Sequence, residues 1–225
     1  MKEFNVSFEF DIGIADAQVV ATINITKGDA DIYTLRNIVE ANVRSFTDLV
    51  GYMDGLSFDV DLISAASSET GRTIIFGINI PVLKERRQSQ AIGALSGDLM
   101  AAVAQSLPAQ AALAYFREAI RIPVDTGFFC YRAIEAIMQS MKTSDEEDEK
   151  YCWPRFRETL RIDRDAIMYV KSHSDLPRHG RPSAISDADR AKVFVITDEI
   201  IRRFLELLKT KRAVLPEAEF PTVMG

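Results

Sequence analysis

RTIIFGINIPVLKERRQSQ, residues 72–90, holds the point at which the chain changes its hydrophobic period. Up to Ile80 the apolar residues Ile74, Phe76, Ile78 and Ile80 fall at every second position, the period of a strand that buries one face. From Pro81 onward the alternation stops and a charged run, KERRQSQ, intervenes. The apolar residues that follow recur every three or four positions, the period of a helix that buries one stripe. One change of period predicts an α+β chain in two parts, residues 1–83 and residues 84–225.

Upstream of that point, FNVSFEFD (4–11) alternates Phe4, Val6, Phe8 and Phe10 against polar neighbours. AQVVATINIT (17–26) and LSFDVDLI (56–63) repeat the pattern. Between them DIYTLRNIVEANVRSFTDLVG (31–51) has helical spacing, and Gly51 is read as its C-terminal stop. The expectation is a ββαββ unit, one sheet with a helix on its apolar face, closed by a hairpin loop at SSETG (67–71). Downstream, Pro108 suits the first turn of a helix, Pro123 breaks the next, and Asp125 or Thr126 is the expected cap of GFFCYRAIEAIMQSMK (127–142). SDADRAKVFVITDEIIRRFLELLK (186–209) is the longest helix, with Ser186 and Asp189 as a capping pair and Ala191, Phe194, Val195, Ile201, Phe204, Leu205 and Leu208 inward. AVLPEAEFPTVMG (213–225) reads as an irregular arm.

No apolar run approaches the roughly 20 residues that span a bilayer, and the N-terminus lacks a signal-peptide core, so a cytoplasmic protein without membrane contact is expected. Cys130 falls on an apolar helix stripe and Cys152 beside Trp153; both are read as core, with neither metal-ligand spacing nor a disulfide framework. No cofactor and no metal is implied. The net charge of −6 is unevenly spread. Residues 1–122 and 123–150 are net acidic, the latter through SDEEDE, whereas residues 151–225 carry 14 basic and 11 acidic side chains. The basic surplus sits with SDLPRHGRPSAIS (174–186), which permits a phosphate-bearing partner there.

Two motifs in the chain imitate active sites. Arg178-His179-Gly180 has the letters of a histidine-phosphatase motif, but VKSHSDLP before it is no apolar strand and no histidine follows. Asp59 and Asp61 share one strand face, as in two-metal nucleotidyltransferases, yet the preceding turn has no Gly-Ser pair and the later strand no acid; both read as solvent-facing.

ALAYFREAIRIPVDTGFFCYRAIEAIMQSM (112–141), a Trp-containing helix, IMYVKSHSDLPRHG (167–180) and a long last helix together resemble a HEPN domain, a helical-bundle superfamily of nucleotide-binding proteins. The resemblance covers roughly residues 105–210 and leaves residues 1–83 without a family. It implies a homodimer, an RNA or nucleotide ligand, and a place in a bacterial defence or stress system. Many such proteins are metal-independent ribonucleases carrying an Arg, four to six residues, then a His. A histidine near neutral pKa moves the 2′-hydroxyl proton while an arginine stabilises the phosphate. Carried onto this sequence, His179 and Arg178 take the catalytic positions, Arg181, Lys171 and His173 the phosphate contacts, and Glu135 orients an arginine. The spacing differs from the motif: five to seven residues before His179 stand Ser174, His173 and Ser172. That favours a non-catalytic module binding a nucleotide, an RNA or a protein partner, the last through the N-terminal part. The alternative is an endoribonuclease using Arg178 and His179 across a dimer cleft.

Overall fold

The computed structural model describes residues 6–15, 18–76, 80–89, 96–144, 147–180 and 185–225. The fold is α+β, with its strands at the N-terminal end and helices throughout the rest. The chain divides into two compact units, Met1–Ile78 with Ser183–Asp187, and Asn79–Pro182 with Ala188–Gly225.

In the first unit β1 (Ser7–Ala15) and β2 (Gln18–Lys27) form an antiparallel hairpin, with Phe8 opposite Ile25, Phe10 opposite Ile23 and Ile12 opposite Ala21. The predicted alternation holds: Phe8, Phe10, Ile12, Val19, Ala21 and Ile23 are half-buried, and the residues between them are exposed. Helix α1 (Ile32–Asp54) begins where the Asp31 carboxylate accepts from the Tyr33 and Thr34 amides at 3.0 and 2.9 Å and from the Thr34 hydroxyl at 2.7 Å. Burial alone would raise the Asp31 carboxyl; those hydrogen bonds outweigh it and hold it below its ordinary value.

Helix α1 ends at Gly55, which takes φ 67°, and not at Gly51 as its sequence suggests. Gly51 lies within the helix for a different reason: a Cβ there would meet the Leu56 carbonyl oxygen at 2.5 Å. The chain therefore folds back along α1. Residues 56–63 form no strand, and Arg44 reaches this segment at the Val60 carbonyl and, at 3.0 Å, the Asp59 carboxylate. The expected single sheet is thus replaced by two hairpins, the second of β3 (Ser64–Ala66) and β4 (Thr73–Ile75) around the SSETG turn. A strand needs its backbone groups bonded to a neighbour; here a guanidinium takes the Val60 carbonyl instead.

In the second unit the charged run KERRQS is helical, within α2 (Pro81–Ser89). It is followed by α3 (Gly97–Ala104), capped by Ser96, and α4 (Leu107–Arg121), capped by Ser106 with Pro108 in its first turn. A 3-10 turn at Pro123–Asp125 leads into α5 (Thr126–Gln139), then α6 (Glu149–Leu160), α7 (Arg164–Ser172), the single turn α8 (Asp175–Arg178) and α9 (Asp187–Thr210). Among the described residues no single helix is long and apolar enough to cross a membrane; α3 and α4 have that length only together, across a 98° bend. Cys130, Ile134 and Met138 of α5, Phe156 and Leu160 of α6, Val170 of α7 and Phe194 and Ile200 of α9 form the buried core. Of the expected inward positions Phe194, Ile201 and Phe204 are buried while Ala191, Val195, Leu205 and Leu208 are half-buried; Val193, Ile196 and Ile200 are buried as well, because the middle of α9 is covered on nearly all sides.

Thr126 does not cap α5 through its side chain. Its buried hydroxyl donates to the Ala119 carbonyl at 3.0 Å and accepts from Arg190 at 2.9 Å, tying α4, α5 and α9 together. The C-terminal stretch is irregular, as expected, but it is packed against the helices. Leu215 and Phe220 are buried, the Leu215 amide donates to the Thr159 carbonyl at 3.1 Å, and Val223 pairs with Ile162 as a parallel bridge. The guanidinium groups of Arg202 and Arg203 stand 5.3 and 5.6 Å from the Phe220 ring centroid. Phe220→Ala is expected to destabilise the protein by about 3 kcal/mol, read as a lowered urea midpoint at unchanged slope.

Candidate functional site

Helix α7 ends over its last turn with Lys171, and the chain passes through His173 and buried Ser174 into α8. Ser174 holds this corner: its hydroxyl donates to the Lys171 carbonyl at 2.8 Å and its carbonyl accepts the Arg178 amide at 3.0 Å. The predicted polar loop is therefore a short helical turn. His179 closes it, its amide donating to the Leu176 carbonyl at 3.1 Å, and Gly180 follows with φ 68°. A close backbone approach sets the corner against α5. A Cβ on Gly127 would lie 2.3 Å from the His173 carbonyl oxygen, so only glycine admits α5 here.

The sequence-predicted residues divide. Arg178 and His179 are exposed, Lys171 and His173 half-buried, and Arg181 lies outside the described residues. The His173 ring rests 5.0 Å from Tyr169, one turn earlier on α7. Tyr169 donates its hydroxyl to Asp189 of α9 at 3.0 Å, and the Lys192 ammonium stands 4.2 Å over the Tyr169 ring. Burial drives the His173 imidazole below its ordinary value, opposed by the negative charge of Asp189, so it is neutral at pH 7. Burial, with Asp189 adding to it, pushes the Tyr169 phenol up to about 12.

Glu135 accepts from Arg132 of its own helix at 2.9 Å, and Arg132 also lies 5.4 Å over the Tyr115 ring. Glu135 and the α8 turn meet electrostatically at Tyr131. Burial first and the Glu135 charge second push the Tyr131 phenol up to about 12, while Arg178 pulls it down. Tyr131 stacks on Trp153 of α6, centroids 6.3 Å apart and planes within 13°.

Sequence reasoning missed Tyr131, Tyr169, Asp189 and Lys192. The signals were present as spacing: Tyr169 stands four residues before His173 on one helix, and Tyr131 opens YRAIEAI. Asp189, read as a capping residue, accepts the Tyr169 hydroxyl. Two arginines of the second unit are exposed without an ion pair among the described residues, Arg164 at the start of α7 and Arg178 on α8. Arg132, Arg155, Arg161, Arg202 and Arg203 are each paired with a carboxylate, whereas Arg178 makes no ion pair among the described residues. No group of three or more metal-ligating side chains occurs among the described residues. The arrangement offers an exposed guanidinium, an exposed imidazole and a half-buried lysine on one hydrogen-bonded corner, beside stacked aromatic rings.

Two family models match the sequence. One, described as the C-terminal domain of a domain of unknown function, DUF8168, covers residues 97–209; the other, described as its N-terminal domain, covers residues 1–76. The chain belongs to the DUF8168 family. No curated protein and no solved structure matches it. The DUF8168 C-terminal match spans every candidate site residue, while α2 and the tail after residue 209 fall outside it.

Two outcomes check this corner of the DUF8168 C-terminal domain. Gly127→Ala is expected to cost about 1–3 kcal/mol, read by denaturant unfolding, since the α5 backbone must withdraw from His173. His173 contributes with a definite sign in pH. Its folded value lies below the ordinary 6.5, so the unfolded chain takes up a proton that the folded one resists. The stability held by the neutral ring is complete above 6.5 and lost as pH falls through the lowered value. Urea midpoints between about pH 7.5 and about pH 5 should fall less steeply for His173→Gln than for wild type.

Proposed function

We propose that the DUF8168 C-terminal domain is a HEPN-like, non-catalytic module that binds the phosphates of RNA or of a nucleotide at the α7–α8 corner. The observation that carries this reading is Arg178, which like Arg164 is exposed without an ion pair among the described residues but, unlike it, shares one short segment with His179 and Lys171. A guanidinium held on a short helical turn presents fixed donors to a phosphate. Exposed His179 and the last-turn Lys171 add donors on the same segment. Binding without cleavage is favoured by spacing: HEPN ribonucleases set an arginine four to six residues ahead of the histidine, whereas Ser172, His173 and Ser174 occupy those places before His179.

The test is fluorescence anisotropy of a labelled single-stranded RNA over a salt series, with parallel RNA incubations in EDTA. Arg178→Ala should weaken binding roughly tenfold across sequences and reduce the salt slope by about 0.7. Lys171→Ala should act in the same direction, and the RNA should stay intact. Cleavage in EDTA that is lost in His179→Ala would replace this reading with the ribonuclease. Absence of RNA and nucleotide binding by wild type would overturn both.

A further inference from the structure

We propose that the outer edge of β2 pairs with the same strand of a second copy of this chain, joining two hairpins into a four-stranded antiparallel sheet, β1-β2-β2-β1. Strand β2 runs ten residues, and among the described residues its backbone bonds only to β1. Such a long open edge is ordinarily blunted by charge, proline or a covering element. Here Gln18–Thr26 contains no charged residue and no proline, and six of its nine residues are β-branched Val, Ile or Thr. Strand β1 differs: Glu9 and Asp11 line its outward face, and self-pairing there would set like charges against each other. The charge distribution therefore selects β2 as the joining edge.

A two-fold axis through Thr22 overlaps residues 18–26 of both copies. Thr22 then faces itself, Val20 faces Asn24, Val19 faces Ile25 and Ala21 faces Ile23, so the inward and outward faces of the two hairpins coincide. The second copy is the fitting occupant because it continues the apolar face of Phe10, Ile12, Ala21 and Ile23 across all four strands. A two-stranded hairpin is sustained in water by further strands or by packing against a helix, and the joined sheet supplies the further strands.

Thr22 lies opposite Asp11 and Asn24 opposite Glu9 within the hairpin. The double variant Thr22→Lys/Asn24→Lys therefore strengthens each hairpin by cross-strand charge pairing and places like charges together at the proposed two-fold. By light scattering after size exclusion, wild type is expected at twice 25.2 kDa and the variant at 25.2 kDa, with its circular dichroism kept. A wild type that stays monomeric at micromolar concentration, or a variant that stays dimeric, overturns the proposal. A second measurement leaves the sheet chemistry nearly unchanged: Thr22→Cys should be joined into a covalent dimer by a short bifunctional maleimide. Asp11→Cys, about 14 Å from its mate across the four strands, should not. Cys130 and Cys152 are buried and do not compete. Failure of Thr22→Cys to link also overturns the proposal, and none of these outcomes depends on RNA binding.

Discussion

Four charged side chains buried on α9 hold the helical unit together. Arg190 donates to the Thr126 hydroxyl and, at 3.3 and 2.9 Å, to the Ala119 and Ile120 carbonyls. Asp198 takes Arg86 and Arg87 of α2, and Glu199 takes Arg86, Arg202 and Arg203. Arg203 reaches the Leu160 and Arg161 carbonyls, both at 3.0 Å, and the Pro221 carbonyl at 2.6 Å. Removing one member would strand the others without water, a loss commonly of about 3–5 kcal/mol. Burial would raise the Glu199 carboxyl, but hydrogen bonds from Arg202 and Arg203 hold it below its ordinary value. The helix thus fastens α2, the α4–α5 junction, the end of α6 and the C-terminal stretch through polar contacts that fix register as well as proximity.

The α7–α8 corner inherits its precision from that hub. Thr126 is locked by Arg190, Gly127 beside it admits the His173 backbone, and Tyr131 one turn on meets the α8 turn electrostatically. From the other side α9 supplies Asp189 and Lys192 to Tyr169. A substitution in this hub can therefore disturb the candidate site without touching it.

The two hydrophobic periods were enough to read the α+β class and the β1–β2 alternation, because both follow from apolar spacing along the chain, and the break at Pro123 follows from the proline itself. They were not enough for residues 56–63, whose alternation resembles β1 but whose Val60 carbonyl is taken by Arg44, fifteen residues from Asp59. Nor did period reveal that Arg190, Asp198, Glu199 and Arg203 lie inside: charged residues read as solvent-facing until their partners, in Arg86, Thr126 or Pro221, are brought in by the fold. At the candidate site the residue types around RHG were legible, while Tyr131 and Asp189 owe their relevance to neighbours distant in sequence.

The seating of Pro221 on Arg203 has a bearing on synthesis. A chain emerging from the ribosome exposes α4 to α9 before the stretch that carries Leu215, Phe220 and Pro221. Until that stretch is out, the Arg203 guanidinium lacks one of its three carbonyl acceptors and must keep water there. The helical unit then reaches its dry, locked state only after Pro221 has left the ribosome, and vectorial folding leaves α9 hydrated at that end until then.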